Sequence, residues 1–159
     1  MVWENPFTTT IPKNCTYNWD SHAVNCDMYA DARWRMPVYD QAASALIEDI
    51  ESRGLRDKIM LVCCGEMGRS PKLNAKGGRD HWGGLAPLMI YGGGLKMGQV
   101  IGQSSRSGGE PASEPITIPD LIATIMHTLV DLGEARVTDG LPPNLLSVLT
   151  RGEPIRGLV

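Results

Sequence analysis

Three short segments carry the residues whose types and spacing could do chemistry. The first is Trp19-Asp20-Ser21-His22. In an extended segment, residues two apart project to one side, so the Asp20 carboxylate and the His22 imidazole can share one cation. The second is Gly65-Glu66-Met67-Gly68-Arg69-Ser70-Pro71, in which Glu66 offers a carboxylate and Arg69 a bidentate fork for an oxyanion. The third is Gly77-Gly78-Arg79-Asp80-His81-Trp82, a second adjacent carboxylate and imidazole, with Arg79 as a further candidate for an anion. Two Asp/His pairs and one Glu form a ligand set for a divalent cation. The imidazoles suit Zn²⁺ or Mn²⁺, and the carboxylates also suit Mg²⁺ or Ca²⁺.

Each segment also has a plainer reading. Asp20 can cap a turn while His22 lies half exposed. Glu66 and Arg69 can pair with each other and only shape the turn. Ser70 lacks the flanking residues of a nucleophile elbow. His127, between Met126 and Thr128 on a helical stretch, reads as a packed or surface histidine. Gly92 to Gly94 with Lys96 lack the Gly-Lys-Ser/Thr order of a phosphate loop and read as a hairpin turn. Asn14-Cys15-Thr16 fits a glycosylation sequon, but no secretory signal accompanies it.

The elements that must position these segments follow from periodicity. Residues 1–18 are polar and turn-rich, an irregular lead-in to a unit spanning 19–159. Met36, Tyr39, Ala43, Leu46, Ile47 and Ile50 fall on one helical face, which predicts an amphipathic helix over 36–53 closed by Gly54. The apolar run 59–64 reads as a strand buried on both faces. A glycine-rich loop over 65–84 then leaves the strand's carboxyl end, where open α/β sheets place their sites. A second strand is expected over 85–91, a turn at 92–94, a short partner strand over 99–102 and a surface loop over 103–115. Thr117 caps a second helix running to Leu132, with Pro119 in its first turn, Asp120 three residues after the cap, and Gly133 ending it.

The whole chain has 159 residues, 42% hydrophobic and 21% charged, which is globular composition and excludes disorder throughout. A net charge of -3 provides no field for nucleic acid, and no Lys/Arg run exceeds two. No apolar stretch is long enough to span a bilayer, and Met1 is followed by no signal-peptide pattern, so the chain as written is expected to stay where it is made. Of the four cysteines, Cys63 and Cys64 read as small core residues, and a Cys15–Cys26 bridge is left open.

The order of these strings carries a resemblance. Trp-Asp-Ser-His, helix, apolar strand, Gly-Glu-Met-Gly-Arg-Ser-Pro, Gly-Gly-Arg-Asp-His-Trp, then Gly-Gly-Gly-Leu-Lys-x-Gly-Gln-Val-Ile-Gly, Pro115-Ile116-Thr117-x-x-Asp120-Leu121 and the closing Gly-x-Pro-Ile resemble the carboxyl-terminal part of domain-of-unknown-function family 1501 (DUF1501). The resemblance places the chain with the alkaline phosphatase and sulfatase superfamily. It implies a partial three-layer α/β/α sandwich with a mostly parallel sheet plus a short hairpin, and a metal site at the strands' carboxyl ends. It also implies Asp20, His22 and His81 as ligands of one divalent metal, Glu66 as the ligand candidate for a companion site, and Asp80 as a ligand or as an orienting partner for His81.

In that superfamily a first metal-binding Asp and a Ser/Thr nucleophile come from the amino-terminal half, so the resemblance implies that this chain is a truncated or split carboxyl-terminal portion. The expected function is the metal-holding part of a hydrolase of phosphate or sulfate esters, inactive alone. The other class is a non-catalytic metal-binding or accessory protein, or a gene fragment. Two helices covering a sheet with an open edge further predict self-association or binding of a separate amino-terminal half.

Overall fold

The computed structural model describes residues 11–15, 19–22 and 27–159. Most of the expected lead-in and the Cys26 end of the Cys15–Cys26 pairing lie outside the described residues. Helix α1 runs Met28–Ser52, eight residues earlier than the periodicity indicates. Asp27 caps it by accepting from the Ala30 N–H at 2.9 Å. Pro37 sits inside the helix, where it withholds the N–H that would reach the Arg33 carbonyl. The first turns survive that loss because they are anchored from the side. Asp31 and Arg35 form a buried ion pair, with Nη2 to Oδ1 at 3.0 Å and Nε to Oδ2 at 3.2 Å, and the Met28 N–H donates to the Gly77 carbonyl at 3.0 Å. Gly54, at φ 65°, turns the chain out of the helix as expected.

Strand β1 (Met60–Cys64) pairs with β4 (Leu88–Gly92), with Met60 opposite Gly92 and Cys64 opposite Leu88. The pairing is antiparallel, which corrects the expected parallel sheet. The connection over 65–87 contains no helix, and a parallel return needs a crossover, usually helical. Each described sheet has two strands, too narrow for the central layer of the expected three-layer sandwich. Nor is β1 buried on both faces: Met60 to Cys63 are half-buried and Cys64 is exposed. Its two faces have different neighbours. Cys63 lies beside Tyr39 of α1, and on the same face Tyr91, opposite Leu61, donates to Glu51 Oε1 at 2.6 Å. Burial, and then the Cys63 thiol, push the Tyr39 phenol above its ordinary range.

Helix α2 (Ile118–Leu129) is capped by Thr117, whose N–H and Oγ1 donate to Asp120 Oδ2 at 2.8 and 2.7 Å. It meets the other face of β1 through Thr128, 3.7 Å from Met60 Sδ. Its end at Leu129 falls short of the expected Leu132. Two further helices, α3 (Leu132–Val137) and α4 (Pro143–Leu149), follow it. The chain end docks on α2: fully buried Thr124 donates to the Asp120 carbonyl at 2.7 Å and accepts from the Ile155 N–H at 2.9 Å. The expected strand over 99–102 does not form. Val100 is 98% exposed, and Gln99 donates instead to the Gly157 carbonyl. Gly92 to Gly94 all adopt positive φ, so the backbone does turn there. The turn closes on the segment before β1, with the Gly93 N–H between the Arg56 and Ile59 carbonyls at 2.8 and 2.9 Å.

Among the described residues the buried apolar side chains are Ile50, Leu95, Ala123, Ala135 and Ile155. No described helix is long and apolar enough to cross a membrane.

Candidate metal centre

Within the long loop, Gly68–Arg69 (β2) and His81–Trp82 (β3) form a short antiparallel ladder in which Arg69 lies opposite His81. Only glycine fits at 68. A Cβ there would run into the Leu85 carbonyl. The loop between the two strands is organised by Asn74. Its Oδ1 accepts from the N–H groups of Lys76 and Gly78, both at 3.0 Å, and its Nδ2 donates to Asp80 Oδ1 at 2.9 Å. The Ser70 N–H donates to the Asp80 carbonyl at 2.8 Å, which continues the ladder.

The segment carrying Asp20 and His22 is held against this hairpin from two sides. The Arg79 N–H donates to the Ser21 carbonyl at 3.2 Å. Trp19 packs on α1, with the Arg35 guanidinium 5.1 Å from its ring centre and Tyr39 edge-on at 6.2 Å.

These supports bring Asp20, His22 and His81 together, with one ligand atom from each lying within 4.8 Å of the others. Asp20 Oδ1 is the focus. His22 Nδ1 contacts it closely, His81 Nε2 lies at 3.4 Å and Arg69 Nη1 at 2.8 Å. The two imidazoles meet edge to face with centres 4.4 Å apart. Burial raises the Asp20 carboxyl, but hydrogen bonds from His22 and His81 and the Arg69 charge beside it outweigh that and hold the group well below the usual carboxylate range. The His22 and His81 side chains are 43% and 47% exposed, so the cluster opens to solvent.

The other expected residues lie elsewhere. Glu66 is exposed and is not in the ligand group, nor is Asp80, whose carboxylate is engaged by Asn74. Arg69 pairs with Asp20, and among the described residues it makes no ion pair with Glu66. Arg79 is used structurally, with Nη1 donating to the Ser70 carbonyl at 2.6 Å and Nε lying 2.9 Å from Met28 Sδ. The Ser70 hydroxyl closes a local turn, donating to the Lys72 carbonyl at 3.0 Å and accepting from the Lys72 N–H at 3.1 Å. Sequence reasoning missed Asn74. An Asn shortly before Gly77-Gly78 is the signal that could have marked it, because Asn side chains readily bond the backbone of a following turn.

No curated protein and no solved structure matches the chain. The family model described as a protein of unknown function (DUF1501) matches residues 8–144. The match begins ahead of Trp19, includes all three cluster residues and stops before Gly152-Glu153-Pro154-Ile155. With most of its length covered by that model, the chain belongs to the DUF1501 family.

Proposed function

We propose that Asp20, His22 and His81 hold a divalent transition-metal ion, and that the chain is the metal-holding part of a hydrolase of phosphate or sulfate esters. The observation that carries the reading is the convergence of three ligand atoms from segments about sixty residues apart in sequence. One carboxylate oxygen and two imidazole nitrogens suit Zn²⁺ or Mn²⁺ better than Mg²⁺ or Ca²⁺, which favour oxygen ligands. Three protein ligands leave a position for water or a substrate oxygen, as catalytic zinc sites do. The link to alkaline phosphatases and sulfatases, and the assignment to the carboxyl-terminal part of the family, rest on the order of the motifs and belong to the same proposal. Self-association is proposed alongside. Its support is the exposure of two large apolar side chains, Ile118 and Val137, 73% and 80% exposed.

A second reading, a metal-binding accessory module without catalysis, is favoured by the Ser70 hydroxyl being engaged with Lys72. Equilibrium dialysis of inorganic phosphate against the zinc-loaded and zinc-free chain separates the two. Phosphate retained only with zinc supports the hydrolase reading. Zinc retained without affinity for phosphate supports the accessory module.

A further inference from the structure

We propose that Arg69 is a built-in competitor for the cation, holding the Asp20 carboxylate until a metal ion displaces it and thereafter binding the anion that joins the metal. This inference rests on the metal reading above and adds a coupling between two ligands.

Arg69 Nη1 stands 2.8 Å from Asp20 Oδ1, the oxygen faced by both imidazoles, so a guanidinium charge lies where a metal's charge would act. Its backbone position is fixed. Arg69 is locked opposite His81 in the ladder, and Gly68 beneath the Leu85 carbonyl leaves the hairpin little room to slide. The side chain's hold on Asp20 is looser. Nη1 is buried and in ionic contact with Asp20 but makes no well-aligned hydrogen bond, and among the described residues Arg69 has no ion pair besides Asp20. A divalent ion taking Oδ1 removes the attraction and repels the guanidinium at close range. The fork then stands beside Asp20 with no other ion pair among the described residues to hold it, and its two parallel donors suit two oxygens of a tetrahedral anion. By reciprocity, an anion that binds the released Arg69 tightens the metal by the same factor that the metal tightens the anion.

The test is calorimetric titration of the purified chain with zinc chloride, with and without sodium sulfate as the probe anion at matched ionic strength, on wild type, Arg69→Gln and Arg69→Lys. Without sulfate, Arg69→Gln should bind zinc roughly two- to fivefold more tightly than wild type, the range expected for loss of a partly exposed ion pair. Sulfate should tighten zinc binding in wild type and leave Arg69→Gln unchanged. Arg69→Lys should keep the competition but lose most of the sulfate effect, since a point charge lacks the fork. Zinc binding by Arg69→Gln that equals or falls below wild type would overturn the proposal while leaving the metal site standing. An equal sulfate effect in Arg69→Gln would overturn it too, because the anion would then sit on the metal alone. If no form binds zinc, the metal reading itself falls, and this proposal with it.

Discussion

Arg69 and His81 face each other across the β2–β3 ladder, and both reach the same oxygen of Asp20, one at 2.8 Å and the other at 3.4 Å. The register of a two-residue ladder therefore sets the distance between an imidazole and a guanidinium, and Asp20 closes the group from a segment distant in sequence. Backbone pairing positions these side chains, so changes that shift the pairing should alter the cluster without touching any of its three residues.

Gly68→Ala is the sharpest such change. Its Cβ would collide with the Leu85 carbonyl, a backbone atom that cannot rotate away. Overpacking of this kind costs about 1–3 kcal/mol. The variant should melt lower than wild type and bind zinc more weakly, with Asp20, His22 and His81 all present. Unchanged melting and zinc affinity would show that the ladder does not position the site.

Ser70 supplies a prediction about activity. With its hydroxyl tied to Lys72, the chain should hydrolyse aryl phosphates and aryl sulfates no faster than background, with or without zinc. A colorimetric assay checks this. Robust turnover that disappears in Ser70→Ala would make Ser70 a nucleophile and contradict its structural assignment.

Asp120 links the α2 cap to acid stability. Bonds from the Thr117 hydroxyl, the Thr117 N–H and the Glu153 N–H hold its carboxyl below the ordinary value against a small opposing effect of burial. A depressed folded pKa means that the contribution is complete above the unfolded value of about 3.9 and is lost as pH falls through the folded one. Asp120→Ala should therefore cost about 0.5–1 kcal/mol at pH 7, as loss of a helix cap does. That difference should shrink as pH falls below about 4. Urea unfolding of both proteins at neutral and acid pH checks the sign, and a difference that grows toward low pH would contradict it.

The helices were the most legible part of the sequence. The Thr117 and Asp120 pattern marked the start of α2, and the periodicity of Ile47 and Ile50 marked the body of α1. The first turns of α1 escaped because Pro37 reads as a boundary, while the Asp31–Arg35 pair and Trp19 that stabilise those turns are tertiary contacts. The strand at Met60–Cys64 was visible, but its direction of pairing was not, since an apolar run fits either direction. For the site, Asp20, His22 and His81 were legible from residue type and from the resemblance. The partner of Arg69 was not. Nothing in Gly65 to Pro71 distinguishes pairing with nearby Glu66 from pairing with distant Asp20, and only the fold decides between them.

The central claim is that Asp20, His22 and His81 hold one metal ion together. Metal analysis after exhaustive dialysis from excess zinc, on wild type, Asp20→Asn, His22→Ala and His81→Ala, tests it most directly, with circular dichroism confirming that each variant is folded. The account predicts about one equivalent of zinc in wild type and a tenfold or greater loss of affinity in each variant. Equal zinc content in wild type and all three folded variants would contradict it.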